Sequence, residues 1–173
     1  MDLHIHIDVS KLGRQLENLP VLLRQAVEGG LTRATVLLRN AVETNIRTPF
    51  GDKPPAVASG FLASSVAQEV YSTQDHLIGQ VFLGYPADQY GLFVEVGTRP
   101  HTPPLWPIMR WLNVKFGMTN PKALFFAAQR VAFEISERGT RGHFMFQRAL
   151  DEHERVVLRI LQEEITRSLA ELN

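Results

Sequence analysis

The residues of this 173-residue chain whose types and spacing could do chemistry begin near its start. His4-Ile5-His6 sets two imidazoles two residues apart; on a strand both project from one face, where they could chelate a metal ion with His101, His143 or Asp8 as further ligands. Leu3, Ile5, Ile7 and Val9 alternate with His4, His6 and Asp8, the period of two of a half-buried strand. On that pattern His4 and His6 are plain solvent-facing strand positions, and this is the preferred reading.

Other chemistry is thinly represented. The chain has no cysteine, which removes disulfides, thiolate ligands and cysteine nucleophiles together. No serine stands in a Gly-x-Ser-x-Gly elbow, and no phosphate-binding Gly-rich loop precedes a helix. Gly139-Thr140-Arg141-Gly142 is short and basic enough to hold a phosphate, but a loop joining two helices accounts for it. Glu43, Glu69, Asp88, Glu95, Glu134 and the acids of the last helix are not paired across a site by any spacing. The expectation is no enzyme and no cofactor. The alternative is a small metal-dependent hydrolase using His4 and His6; metal-dependent amidohydrolases begin with such a pair, though in barrels of roughly 250 residues.

Eighteen Lys plus Arg balance eighteen Asp plus Glu, so no global field draws in nucleic acid or anionic lipid. With 45% hydrophobic and 21% charged residues, the chain reads as one globular domain over residues 1–173. Met1 to Val9 lacks the basic start and apolar run of a signal peptide, and no stretch approaches the roughly 18 to 20 apolar residues of a membrane span.

The elements that must position these residues follow from periodicity. After the strand, Ser10 offers an N-cap, and Leu12, Leu16, Leu19, Leu23, Ala26, Gly30, Ala34, Leu37 or Leu38, and Ala41 mark a helix to about Ile46, with a kink or break near Pro20. Pro49, Gly51, Pro54, Pro55 and Gly60 make residues 47–60 a surface loop. Phe61 to Tyr71 and His76 to Gly84 read as a β-hairpin about Ser72-Thr73-Gln74-Asp75. Tyr90, Phe93 and Val94 fall at helical spacing before Gly97. A helical pair over about 104–139 follows: one helix carries Trp106 and Trp111, and the next, introduced by Asn120-Pro121, has a stripe of Leu124, Ala128, Val131 and Ile135. Phe144 or Phe146, Ala149 or Leu150, His153, Val156 or Val157, Ile160, Leu161, Ile165 and Leu169 mark a last helix of about seven turns. Its charged face reads as solvated, and its apolar stripe as core packing or the seat of a neighbouring subunit. The fold class expected is α+β: a small, mostly antiparallel sheet packed by long N-terminal and C-terminal helices, with the helical pair inserted.

Three blocks are more specific than composition: Ser59-Gly60-Phe61-Leu62-Ala63-Ser64-Ser65-Val66, Tyr90-Gly91-Leu92-Phe93-Val94-Glu95-Val96-Gly97-Thr98, and Gly142-His143-Phe144-Met145-Phe146-Gln147-Arg148-Ala149-Leu150. In order and spacing they resemble the tail-completion, or head-to-tail joining, family of tailed bacteriophages, related to minor tail and tail-terminator proteins. The chain departs from the family pattern where prolines are usual, carrying Gly142-His143 and Gln147-Arg148 there, and it inserts the segment from Trp106 to Arg138. The resemblance implies a structural virion protein made in the host bacterial cytoplasm. It would form a ring, with six copies expected, at the neck or upper tail, meeting neighbouring neck and tail proteins and enclosing the DNA path without reading its sequence. It requires no cofactor, metal or membrane. The matching positions Gly60, Leu62, Ser65, Tyr90, Phe93, Glu95, Gly97, Thr98, Phe144, Ala149 and Leu150 become structural or interface candidates. Gly60 and Gly97 would supply tight turns, Tyr90 and Phe93 would anchor their segment in the core or an interface, and Glu95 would cap backbone donors, form a surface pair or bridge subunits.

Overall fold

The computed structural model describes residues 4–8, 21–56, 59–73 and 76–171. Leu3, Val9, the Ser10 cap, the helical positions up to the Pro20 kink, and Gln74-Asp75 of the hairpin turn lie outside the described residues.

The architecture is α+β. Strand β1 (His4–Asp8) runs antiparallel to β3 (Leu77–Leu83), and β3 pairs on its other edge with β2 (Val66–Ser72), giving a three-stranded sheet in the order β1-β3-β2. The register sets Ile5 opposite Val81 and both are buried, so period-two alternation aims one face of β3, through Leu77, Val81 and Leu83, into the core. Against that face packs helix α1 (Val21–Arg47), which also lies along the C-terminal helix α6 (Met145–Glu171).

Because α1 is pressed between sheet and helix, its buried face is wider than a single stripe. Leu31, Leu38, Val42 and Ile46 are wholly buried together with Thr35, and each Leu or Ile lost from such a position costs about 2–5 kcal/mol. The periodic reading placed Ala26 and Ala41 on this face; both are only half-buried, and Val27, Leu31 and Val42 take the central role. Gly30 lies where α1 and α6 meet, so close that a methyl group there would stand 3.1 Å from Leu161 Cδ2. Nearby, Arg33 pairs with Glu164 across the same seam.

The hairpin begins later than its apolar pattern suggests. Phe61–Ser64 is a helical turn, α2, not the start of β2: the hydroxyls of Ser64 and Ser65 both donate to the Phe61 carbonyl, the local back-bonding by which serine competes with strand pairing. Helix α3 (Asp88–Val96) leads into the short strand β4 (Gly97–Thr98). Helices α4 (Leu105–Phe116) and α5 (Pro121–Arg138) form a pair with a small core of their own, Ile108, Leu112, Leu124, Ala128 and Ala132. Asn120 caps α5 by accepting from Lys122 N and Ala123 N at 3.0 and 3.1 Å, and Gly117 ends α4 in the left-handed region. Strand β5 (Thr140–Arg141) then pairs with β4 and delivers the chain to α6.

Candidate functional site

The second and third sequence blocks interlock. Glu95, the last acidic residue of α3, is 4% exposed, and its carboxylate faces the N-terminus of α6: Oε2 accepts from Phe146 N at 3.1 Å and Oε1 from Gln147 N at 3.0 Å. Its own carbonyl accepts from Phe144 N at 3.0 Å, and the Val94 carbonyl accepts from His143 N at 2.8 Å. A helix start leaves its first N–H groups without intrahelical partners and carries a partial positive charge, so a buried carboxylate satisfies both needs there. Of the roles open to Glu95, the structure gives it the capping role, for a helix some fifty positions downstream.

Glycine makes the approach of the two chains possible. Gly97 has φ 81°, and a Cβ on it would stand 2.1 Å from the Thr140 carbonyl; a Cβ on Gly142 would stand 2.2 Å from the Glu95 carbonyl. Beside them Thr98 and Thr140 join through their hydroxyls at 3.0 Å, and Thr140 N donates to Thr98 Oγ1 at 3.1 Å. Phe144, at φ 50°, turns the chain into α6 and sets its ring edge-on to Phe50 with centroids 6.1 Å apart. Lys53 sits over both rings and donates to the Gly142 carbonyl, while Arg148 lies 4.7 Å over the Phe50 ring. The Gly139–Gly142 loop therefore holds backbone and side-chain partners of its own chain.

A groove of about 1060 Å³ opens beside this clasp, between the α4–α5 pair and the body of the domain. Phe61, Tyr90 and Phe93 line it from the body, and Trp111 and Ile135 from the helical pair. Arg99, Lys115 and Arg141 add positive charge, and among the described residues no Asp or Glu lines it. Lys115 spans the gap, donating to the Pro55 carbonyl at 3.2 Å with its ammonium 5.4 Å over the Trp111 ring. His143 also faces the groove; burial first, then Lys53, Lys115 and Arg148, hold its imidazole below the usual histidine range, and its Nδ1 is enclosed without a hydrogen-bond partner.

Most of the resemblance positions gather here. Gly60, Leu62, Tyr90, Phe93, Gly97 and Thr98 line the groove, with Glu95 and Phe144 in the clasp behind it. Ser65 stands apart at the foot of β2, where its carbonyl accepts from Gly84 N at 2.8 Å. Ala149 is buried against α1 and the core, whereas Leu150 is exposed. Tyr90 and Phe93 do not anchor α3 in the core: Phe93 is 56% exposed and Tyr90 half open to solvent, because α3 turns Gly91 and Glu95 inward instead. Periodicity missed Lys53, Lys115 and Trp111 as groove residues, since they sit on a loop and an inserted helix whose placement no local pattern encodes.

The strand places His4 opposite Phe82 and His6 opposite Gln80 through the backbone; their side chains lie outside the described residues. Among the described residues no group of three His, Asp or Glu gathers as a metal site, and no helix is long and apolar enough to cross a membrane. No protein-family model, curated protein or solved structure matches the chain.

Proposed function

We propose that this chain is a structural subunit of a phage virion, a tail-completion or head-to-tail joining protein that works as a closed ring of copies at the neck or upper tail. The observation that carries the reading is the apolar surface left open by a well-packed domain. Trp106 and Phe116 on α4 and Phe126 and Phe133 on α5 are all more than half exposed, and Phe126 and Phe133, two turns apart, share one helix face. Phe93 and Val96 add to this at the groove. Large aromatic surface of this kind marks a partner-binding face, because aromatic residues are enriched in the buried centres of protein interfaces.

The resemblance supplies the setting, and the fit of its blocks to one region supports it: the Glu95 to Thr98 segment and the Thr140 to Gln147 segment build the clasp that fixes the groove wall. A ring at the neck has to hold shape while DNA passes, and a helix start tied by a buried carboxylate to a strand pair suits that task. Imaging of particles assembled without the chain is the test. Separate heads and tails are the expected outcome; particles with heads joined normally to tails would overturn the proposal.

A further inference from the structure

We infer that the groove beside the clasp is a binding site for a single-chain amphiphilic carboxylate, in its simplest form a fatty acid, with the chain on the apolar floor and the head at Arg99 and Arg141. The inference is independent of the assembly reading above. At about 1060 Å³ the groove stands at the upper end of the roughly 300–1,000 Å³ of small-molecule sites, which form by preference between separately packed units. Two such units meet here. Phe61, Leu62, Phe93 and Val96 come from the body, which holds the main core, and Trp111 and Ile135 from the α4–α5 pair, which has its own.

The polar groups of the groove decide which chemistry can enter. Three of its hydroxyls are engaged within the chain: Ser59 Oγ accepts from Phe61 N at 3.4 Å, and Thr98 and Thr140 join at 3.0 Å. Among the described residues no Asp, Glu, Asn or Gln lines it, so a sugar or nucleobase would bury donors and acceptors unmatched. The cations remain. Gly97 pairs opposite Arg141, so Arg99, two residues on, falls on the same face of the ribbon as Arg141, with no side chain on Gly97 between them. Asp52 approaches Arg141 at 3.8 Å, but the two side chains are 82% and 80% exposed and such a pair is weak. Among the described residues the Arg99 guanidinium has no ion pair. Guanidinium groups match a carboxylate with two parallel hydrogen bonds, and Lys115, held over Trp111, adds a third positive charge. One apolar chain with one anionic head satisfies floor and rim together, whereas the same chain with a cationic head meets like charge.

The test uses the full chain carrying Trp106→Phe, which leaves Trp111 in the groove as the one tryptophan. Its fluorescence is titrated with dodecanoate below the micellar range, with dodecyltrimethylammonium and acetate as controls for chain and head alone. Dodecanoate is expected to give a saturable change, dodecyltrimethylammonium to bind about tenfold more weakly or less, and acetate to give none. Arg99→Gln combined with Arg141→Gln should weaken dodecanoate about fivefold or more, and Phe93→Asp about tenfold or more. Phe93 is 56% exposed, so the fold should survive, as circular dichroism reads; Val96→Asp replaces it if it does not. No saturable change with dodecanoate, equal binding of either control, or dodecanoate binding untouched by the substitutions overturns the inference. A mass by light scattering that falls on Phe93→Asp, without a dodecanoate signal, assigns the groove to a second copy and overturns it too.

Discussion

Replacing Glu95 with alanine should destabilise the domain out of proportion to the size of the side chain. The carboxylate is buried and accepts from Phe146 N and Gln147 N, donors at a helix start that have no intrahelical acceptor to turn to. Leaving a buried donor unsatisfied costs about 1–3 kcal/mol, and two are exposed to that cost here. Loss of a negative charge at a helix N-terminus adds about 0.3–2 kcal/mol in a buried setting. Together these terms span about 2–8 kcal/mol, and a loss near the middle, about 3–5 kcal/mol, is expected, a large share of the roughly 5–15 kcal/mol that holds an ordinary domain together. Urea unfolding followed by far-ultraviolet circular dichroism measures it, and thermal unfolding should show a drop of roughly 6–20 °C at about 2–4 °C per kcal/mol. Glu95→Gln keeps one acceptor oxygen but turns an amide donor toward a backbone N–H, so it should fall between wild type and alanine. If Glu95→Ala costs less than about 1 kcal/mol, the clasp does not hold α6 and the reasoning fails.

Asn45→Ala removes the buried bond from Nδ2 to the Met145 carbonyl at 3.0 Å, the tie between α1 and the first residue of α6; the same urea assay should show a loss of about 1–3 kcal/mol. Gly142→Ala forces a methyl group to within 2.2 Å of the Glu95 carbonyl, and since backbone must move, soluble yield and thermal midpoint should both fall, by more than about 2 kcal/mol in stability. His143 titrates below its ordinary value near 6.5 in the folded chain, so below that pH the unfolded chain binds the extra proton first; stability should fall as pH drops from 7 toward 5, and His143→Gln should flatten part of that fall in urea titrations at fixed pH.

How much of this was legible beforehand depends on the range of the interaction. The helix after Asn120-Pro121 and the last helix follow from caps and 3.6-residue repeats, which are local; β1 follows from alternation and β3 from a short apolar run beyond a polar turn. Phe61–Ser64 misled because its apolar run matches a strand while its serines favour a turn. The buried face of α1 was read too narrowly because one helix between two layers has no single stripe. Glu95 illustrates the limit best: one sequence offers a glutamate before Gly-Thr, but only the fold reveals that the donors it meets belong to Phe146 and Gln147. The groove is further out of reach, since Trp111 and Lys115 arrive from a helical pair inserted between the two halves of the clasp.

The claim that this chain exists to assemble is tested most directly by native mass spectrometry of the purified full chain across micromolar concentrations. The account predicts one dominant closed species whose mass is a small multiple of 19.5 kDa, with six copies expected. A single 19.5 kDa monomer throughout that range would contradict it.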